Sequence, residues 1–133
     1  DDQAVITTLL EVIDEERDSG DMKGPKRAKL LSLLVKYEDP RIPQAMLSFL
    51  GDFDETVRFT AIEVLDTQGD VTCREPLMEV LLGTAEESQR VRRRILEAFA
   101  KHGWSIAAWV DRLEPLLSEG FAVKGDKVIE VSA

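Results

Sequence analysis

A few side chains in this sequence could do chemistry, and the first is the single histidine. His102 could bind a metal ion or act as a general base. It lies directly before Gly103, however, and polar or cationic side chains near a helix end ordinarily interact with the last carbonyl groups. The single cysteine, Cys73, takes a position that is apolar in three similar segments of the chain. We therefore expect a helix-end role for His102 and a core role for Cys73, with no catalytic residue, metal site or cofactor.

Four arginines near position 92 form a second group that could bind a ligand, either phosphate or an acidic protein segment. They are Arg90, Arg92, Arg93 and Arg94. Basic runs are common on solvated helix faces, and the chain carries 26 acidic against 17 basic side chains, a net charge of -9. Such a charge disfavours binding to phosphate backbones and anionic lipid surfaces. We therefore interpret the cluster as structural, and expect neither a nucleic-acid nor a membrane partner.

The acidity is concentrated at the start of the sequence, where residues 1–22 contain eight acidic side chains and one arginine. No apolar stretch approaches the roughly 20 residues that a membrane-spanning helix needs. No basic segment followed by an apolar one opens the sequence, and one cysteine cannot form an internal disulfide. These features predict a cytoplasmic protein.

The helices that must position these side chains follow from an internal repeat. Val57, Arg58, Ala61, Leu65 and Gly69 recur, 34 residues later, as Val91, Arg92, Ile95, Phe99 and Gly103. The apolar spacing is that of an amphipathic helix, for which Asp54 is a candidate N-cap and Gly69 a C-terminal stop. A second helix follows, with Pro76 in its first turn. Each unit is thus predicted to be a helix, a turn and a helix.

The pattern extends in both directions. We expect a half repeat at 1–22, and repeats at about 23–52, 53–84 and 85–120. The half repeat contains only a second helix, followed by an acidic loop from Asp14 to Met22. Because half a repeat leaves apolar surface uncovered, we expect the chain to be the C-terminal part of a longer array.

The last repeat departs from the others. Ser105 is predicted to cap a helix that continues to Leu117, and Pro115 should kink this helix unless it begins near Asp111. Residues 121–133 then predict a short β-hairpin, which we expect to cover the open end of the array.

This pattern resembles the HEAT-like repeat family, in the short form found in phycobilin-lyase-like proteins. The residues that carry the resemblance, which covers residues 4 to about 118, are Asp54, Val57, Arg58, Ala61, Leu65, Gly69, Asp70, Leu77, Val80 and Leu81. It implies an all-α fold, a right-handed α-α solenoid of helical hairpins like the armadillo superhelices, whose second helices line a concave surface. It also implies a structural inter-repeat ladder of hydrogen bonds, formed here by Asp54, Arg27, Arg58 and Arg92.

A partner of such a solenoid would contact the non-core positions of the second helices on the concave face. These positions are Thr7, Glu11, Gln44, Ser48, Arg74, Glu75, Glu79 and Asp111. They predict a polar, mildly acidic surface. Trp104 lies in an enlarged turn and is either an exposed anchor for a partner or an aromatic that fills a gap in the last unit. Trp109 is expected in the core.

We therefore expect a non-catalytic protein–protein interaction scaffold whose acidic groove receives a basic or polar segment of another protein. The alternative is a bilin-lyase-like or other enzyme-maturation factor, which needs mainly a shaped cleft. Two other activities in the family fit poorly, because its lysine hydroxylase requires repeated His-Glu pairs and its DNA glycosylases require a basic groove. A third hypothesis is nucleic-acid binding through the C-terminal helix and hairpin, where Lys124 and Lys127 would contact phosphates.

Overall fold

The described part of the computed structural model, residues 1–132, contains seven α-helices and a two-stranded antiparallel sheet. The helices are α1 (Asp2–Ser19), α2 (Gly24–Ser32), α3 (Arg41–Leu47), α4 (Glu55–Gln68), α5 (Arg74–Leu82), α6 (Gln89–His102) and α7 (Val110–Leu113). The strands are β1 (Phe121–Lys124) and β2 (Lys127–Glu130), and short 3-10 segments cover Leu33–Lys36, Val71–Cys73 and Glu114–Leu116. The predicted helical class and C-terminal hairpin are confirmed. Over residues 1–132, no helix combines the length and apolar character needed to cross a bilayer.

The chain divides into two compact units, unit 1 (Asp1–Asp70) and unit 2 (Val71–Ala133). In unit 1, α4 packs against α2 and α3, and α1 contacts both α2 and α3. Its buried core includes Ile6, Ile13, Leu31, Leu34, Ile42, Met46, Phe49, Val57, Ile62 and Leu65. In unit 2, α5 contacts α6 and α7, and β2 lies on α6. Its buried core includes Leu77, Met78, Leu81, Val91, Ile95, Leu96, Phe99, Ile106, Leu113 and Val128.

The ends of α4 and α6 repeat one another. Both helices have 14 residues. The side chains of Asp54 and Ser88 accept hydrogen bonds from the N–H groups three residues further on, at 3.1 and 3.2 Å, which pairs donors that a helix start leaves unsatisfied. Gly69 and Gly103 end the helices at φ values of 65° and 62°, in the left-handed region that favours glycine. The start and stop of each helix therefore follow the 34-residue spacing of the sequence.

The predicted acidic loop from Asp14 is wrong, because α1 continues to Ser19. Glu16 explains the longer helix. Its side chain is buried against the unit, and its carboxylate accepts the Met22 N–H at 2.7 Å. Asp14, Glu15 and Asp18 then lie on the exposed side of a regular helix, and Asp21 follows its end.

The helix predicted from Ser105 to Leu117 is also wrong, and the alternative start near Asp111 is the correct one. The α-helical part of this stretch is α7 alone, and α7 passes directly into the 3-10 turn that contains Pro115. Proline has no N–H to continue the hydrogen-bond ladder. The Ser105 hydroxyl instead donates to Asp126 Oδ2 at 2.8 Å, so that the residue holds the turn of the hairpin.

Candidate functional site

Three of the predicted binding residues in unit 1 line one groove. Thr7 and Glu11 lie four residues apart, and therefore on one face of α1, and Gln44 lies on α3. The groove has a volume of about 460 Å³, and Leu10 and Ala45 add apolar surface to its lining. The groove is open to solvent.

The charged residues in this groove are unequally paired. Arg17 forms ion pairs with Asp14 at 3.3 Å and with Asp18 at 3.5 Å. Glu11 is exposed and has no ionic partner within residues 1–132. Because both arginines that line the groove are bound to acids of this chain, the carboxylate left for a ligand is that of Glu11.

Arg41, the second of these arginines, connects the start of α3 to α1. Its Nε donates to Asp39 Oδ1 at 2.9 Å, and its terminal nitrogens donate to Thr7 Oγ1 at 3.0 Å and Gln3 Oε1 at 3.3 Å. Hydrogen bonds from the side chain and the backbone N–H of Arg41 lower the pKa of Asp39 from 3.8 to about 2. Thr7 is therefore fixed in the groove wall by a charge-assisted hydrogen bond.

Ser48, the fourth predicted residue of unit 1, lies elsewhere. It lines a separate cleft with Phe49, Gly51 and Asp52, beside the end of α1. Its hydroxyl donates to the Ala45 carbonyl at 2.9 Å, a contact local to the end of α3.

In unit 2, the structure brings Arg74 to Trp109 rather than to the other predicted binding residues. The Arg74 guanidinium lies over the indole at 5.4 Å from the ring centre and donates to the Ser105 carbonyl at 3.3 Å. Its Nε is buried without a hydrogen-bond partner in the described residues. Glu75, Glu79 and Asp111 are exposed, and within residues 1–132 no hydrogen bond or ion pair joins them to Arg74. These acids remain candidate contacts on the surface of unit 2.

The three arginines of the predicted ladder share one local contact. Each reaches back to a backbone carbonyl five or six residues earlier: Arg27 to Met22, Arg58 to Phe53 and Asp52, and Arg92 to Glu86. Arg92 also donates to the Leu81 carbonyl at 2.6 Å. These bonds hold the chain segment that enters each helix.

The acid that holds Arg27 is Asp52, at 2.9 Å, with Glu16 at 3.8 Å. The hydrogen bond to Asp52 raises the pKa of the Arg27 guanidinium. Asp54, which the resemblance assigns to the ladder, serves as the N-cap of α4. The hydrogen-bond ladder between repeats stays a prediction. The structure shows the local contacts of Arg27, Arg58, Arg92 and Asp54.

The arginine cluster of unit 2 does not form one basic surface. Arg92 is buried, Arg93 lies over the Phe121 ring at 5.3 Å and donates to the Glu119 carbonyl, and Arg94 pairs with Glu97 at 3.9 Å. Arg92, Arg93 and Arg94 thus have structural partners, and Arg90 also makes an interaction within the chain. Arg90 is exposed at the start of α6.

Trp104 is buried, with 8% of its surface exposed, so the interpretation as an exposed anchor is wrong and the gap-filling interpretation is correct. Its ring meets Phe99 edge to face at 5.3 Å and stacks on His102 at 4.6 Å. The environment of His102 is therefore aromatic, at the end of α6. Trp109, expected in the core, is half-buried beneath Arg74. Cys73 is buried, as predicted.

Phe53 is the surface feature that the sequence analysis missed. Its side chain is 99% exposed. The residue precedes α4 and lies outside the repeated apolar positions. The feature of the sequence that indicates its exposure is its place between two acids, Asp52 and Asp54.

Comparison with protein families, with curated proteins and with solved structures found no match to this chain. Within residues 1–132, no three His, Cys, Asp or Glu side chains are grouped so that they could hold a metal ion.

Proposed function

We propose that this chain is a non-catalytic protein-interaction module that binds a basic or polar segment of another protein. The observation that carries the proposal is the groove of unit 1, in which Thr7, Glu11 and Gln44 gather on two neighbouring helices. The exposed Glu11 carboxylate supplies a contact for a Lys or Arg side chain, and Leu10 and Ala45 supply apolar surface for its methylene groups.

The proposed architecture is a right-handed solenoid of HEAT-like helical hairpins. The matched ends of α4 and α6 support it, since repeat proteins reuse one helical unit along the chain. In this arrangement the second helices form a concave, mildly acidic surface, and the hairpin covers the last unit. Small-angle scattering of the purified chain, compared with the extended profile of a solenoid and the profile of a sphere of equal mass, tests the architecture.

The function is tested with the tagged full chain. A partner is captured from extracts of the source cells, identified, purified, and titrated against the wild type, Glu11→Lys and Glu11→Gln. Charge reversal should weaken binding by about tenfold or more, and Gln by less, because close opposite charges contribute most when both are desolvated. Lys36→Glu, an exposed charge change in the 3-10 segment after α2, is the control. Equal affinity of all four proteins for the partner would show that the groove is not the binding site.

A further inference from the structure

Phe53 differs from the other exposed apolar residues of this chain. Among the large hydrophobic residues of the described part of the chain, Phe53 is 99% exposed, and the next most exposed is Val71 at 55%. Single exposed aliphatic residues are ordinary on protein surfaces. An aromatic ring that is fully exposed to solvent lacks most of the stabilisation that burial would give. The contacts that hold Phe53 in this position are therefore informative.

The backbone on both sides of Phe53 is fixed. Asp52 Oδ2 accepts from Arg27 at 2.9 Å and from the Asp54 N–H at 2.8 Å. Arg58 donates to the Asp52 carbonyl at 2.9 Å and to the Phe53 carbonyl at 3.2 Å. The segment is thus tied to both α2 and α4, and the ring projects from a rigid base. A pre-positioned anchor loses little conformational entropy on binding.

Acidic residues flank this ring in the sequence. Residues 51–55 contain three acids and no base. The neighbouring arginines, Arg27 and Arg58, are engaged by the hydrogen bonds just described, Arg27 with the carboxylate of Asp52. A cleft of unit 1 that contains Lys23 and Lys26 also contains two acids, Glu16 and Asp21. Across residues 1–70 there are sixteen acidic and eight basic side chains, whereas residues 71–133 have ten and nine. Unit 1 therefore has a net charge of -8, nearly all of the total.

We infer that Phe53 is an aromatic anchor that inserts into an apolar pocket of a partner protein, with Lys or Arg side chains around the pocket. Aromatic residues dominate binding energy when they fill such pockets, and the negative charge of unit 1 favours a basic rim and speeds association. This inference rests on the proposed interaction function. It adds a contact outside the groove, on the segment between α3 and α4.

Photo-crosslinking locates the contact. The full chain is prepared with p-benzoylphenylalanine at position 53 and, separately, at position 11 in the groove, and each protein is irradiated in extracts of the source cells. The crosslinked partner is then purified, and the crosslinked peptide is mapped. A crosslink from position 53 to an apolar residue with Lys or Arg neighbours is expected.

Calorimetric titrations with that purified partner measure the energetic role. Phe53→Ala should weaken binding by about tenfold or more, Phe53→Trp should bind within about threefold of the wild type, and binding should weaken as salt rises. The matched control is Leu33→Ala, a second exposed apolar residue of unit 1 at 46% exposure, which should bind like the wild type. Circular dichroism should show all four proteins equally folded.

Two outcomes separate this inference from the proposed function. A partner captured through position 11, with equal affinity for wild type and Phe53→Ala, overturns the anchor and leaves the groove in place. No partner at either position overturns both. Loss of a dimer on Phe53→Ala, seen by size-exclusion chromatography with light scattering, would show that the ring binds a second copy and would also overturn the inference.

Discussion

Arg92 illustrates how an arginine that looks like a binding residue is used inside the fold. The residue is 8% exposed and donates to the carbonyls of Leu81 and Glu86. Since buried carbonyls without a donor are costly, the value of this arginine lies in pairing backbone groups at the entry to α6. Its neighbour Arg93 is held against Phe121 instead.

Replacing Arg92 by Met should therefore lower the free energy of unfolding by about 1–3 kcal/mol, because two carbonyl groups lose their donor. Urea denaturation followed by circular dichroism measures this change. Arg112→Met, at an exposed arginine in the same unit, should stay within about 0.5 kcal/mol of the wild type. Similar values for the two variants would contradict the assigned role.

The Asp39–Arg41 pair predicts a pH dependence at the acid end. The folded pKa of Asp39 is about 2 and the ordinary value is 3.8, so its contribution to stability is complete above about pH 4 and is lost as pH falls towards 2. Arg41→Met should return the Asp39 pKa towards 3.8. NMR titration of the Asp39 carboxyl group in both proteins measures this, and an unchanged pKa in the variant would show that Arg41 is not its cause.

Asp39→Asn tests the same pair through stability. This variant should lack the part of the acid destabilisation that comes from Asp39, so its unfolding midpoint should fall less steeply than that of the wild type between about pH 4 and pH 2. Asp111→Asn, at an exposed acid of α7, is the control and should follow the wild type. Parallel curves for all three proteins would contradict the prediction.

At the scale of elements, the contact between the starts of α2 and α4 is unusually close. A Cβ atom at Gly24 would lie 2.1 Å from Asp54 Oδ2 and 2.3 Å from Asp54 Cγ. Asp54 cannot move away freely, because its other oxygen caps α4 through the Val57 N–H. The glycine therefore protects the cap of a different helix.

Gly24→Ala should destabilise the chain by about 1 kcal/mol or more, through loss of that cap. The cost should shrink in an Asp54→Gly background, where the colliding side chain is gone, and thermal or urea unfolding of the double-mutant cycle measures the difference. Gly51→Ala is the control, since nothing lies within 4 Å of its Cβ position. Equal costs in both backgrounds would exclude the collision as the cause.

Local signals were sufficient to predict some elements from sequence. The N-cap Asp54, the stops Gly69 and Gly103 and the C-terminal hairpin form through contacts between near neighbours in the sequence, and the structure contains all four. The helix expected from Ser105 does not form, and the serine bonds instead to Asp126, which is distant in sequence.

The candidate site was less predictable because exposure depends on tertiary packing. Trp104 packs on Phe99 and His102 and is buried, whereas Trp109 is half-buried beneath Arg74. Three of the eight predicted binding positions meet in one groove because their helices contact one another. Phe53 was missed because periodicity carries no information about a residue between helices.

At the scale of the whole molecule, charge is the property that divides the chain most clearly. Unit 1 contributes a net charge of -8 of the total -9. An octalysine peptide titrated into labelled protein should therefore shift NMR signals mainly within residues 1–70, and high salt should abolish the shifts because exposed charges are screened. An octaglutamate peptide should cause none. Shifts of equal size in residues 71–132 would contradict the assignment of partner binding to unit 1.

The matched ends of α4 and α6 have a consequence for how the chain tolerates changes in length. Each helix carries its own start at Asp54 or Ser88 and its own stop at Gly69 or Gly103. An inserted residue between Gly83 and Ala85 would therefore lengthen a connection without moving either boundary of α6, because Ser88 and Gly103 set these boundaries within their own stretch of chain. The length of this connection can thus change while the length of α6 stays the same.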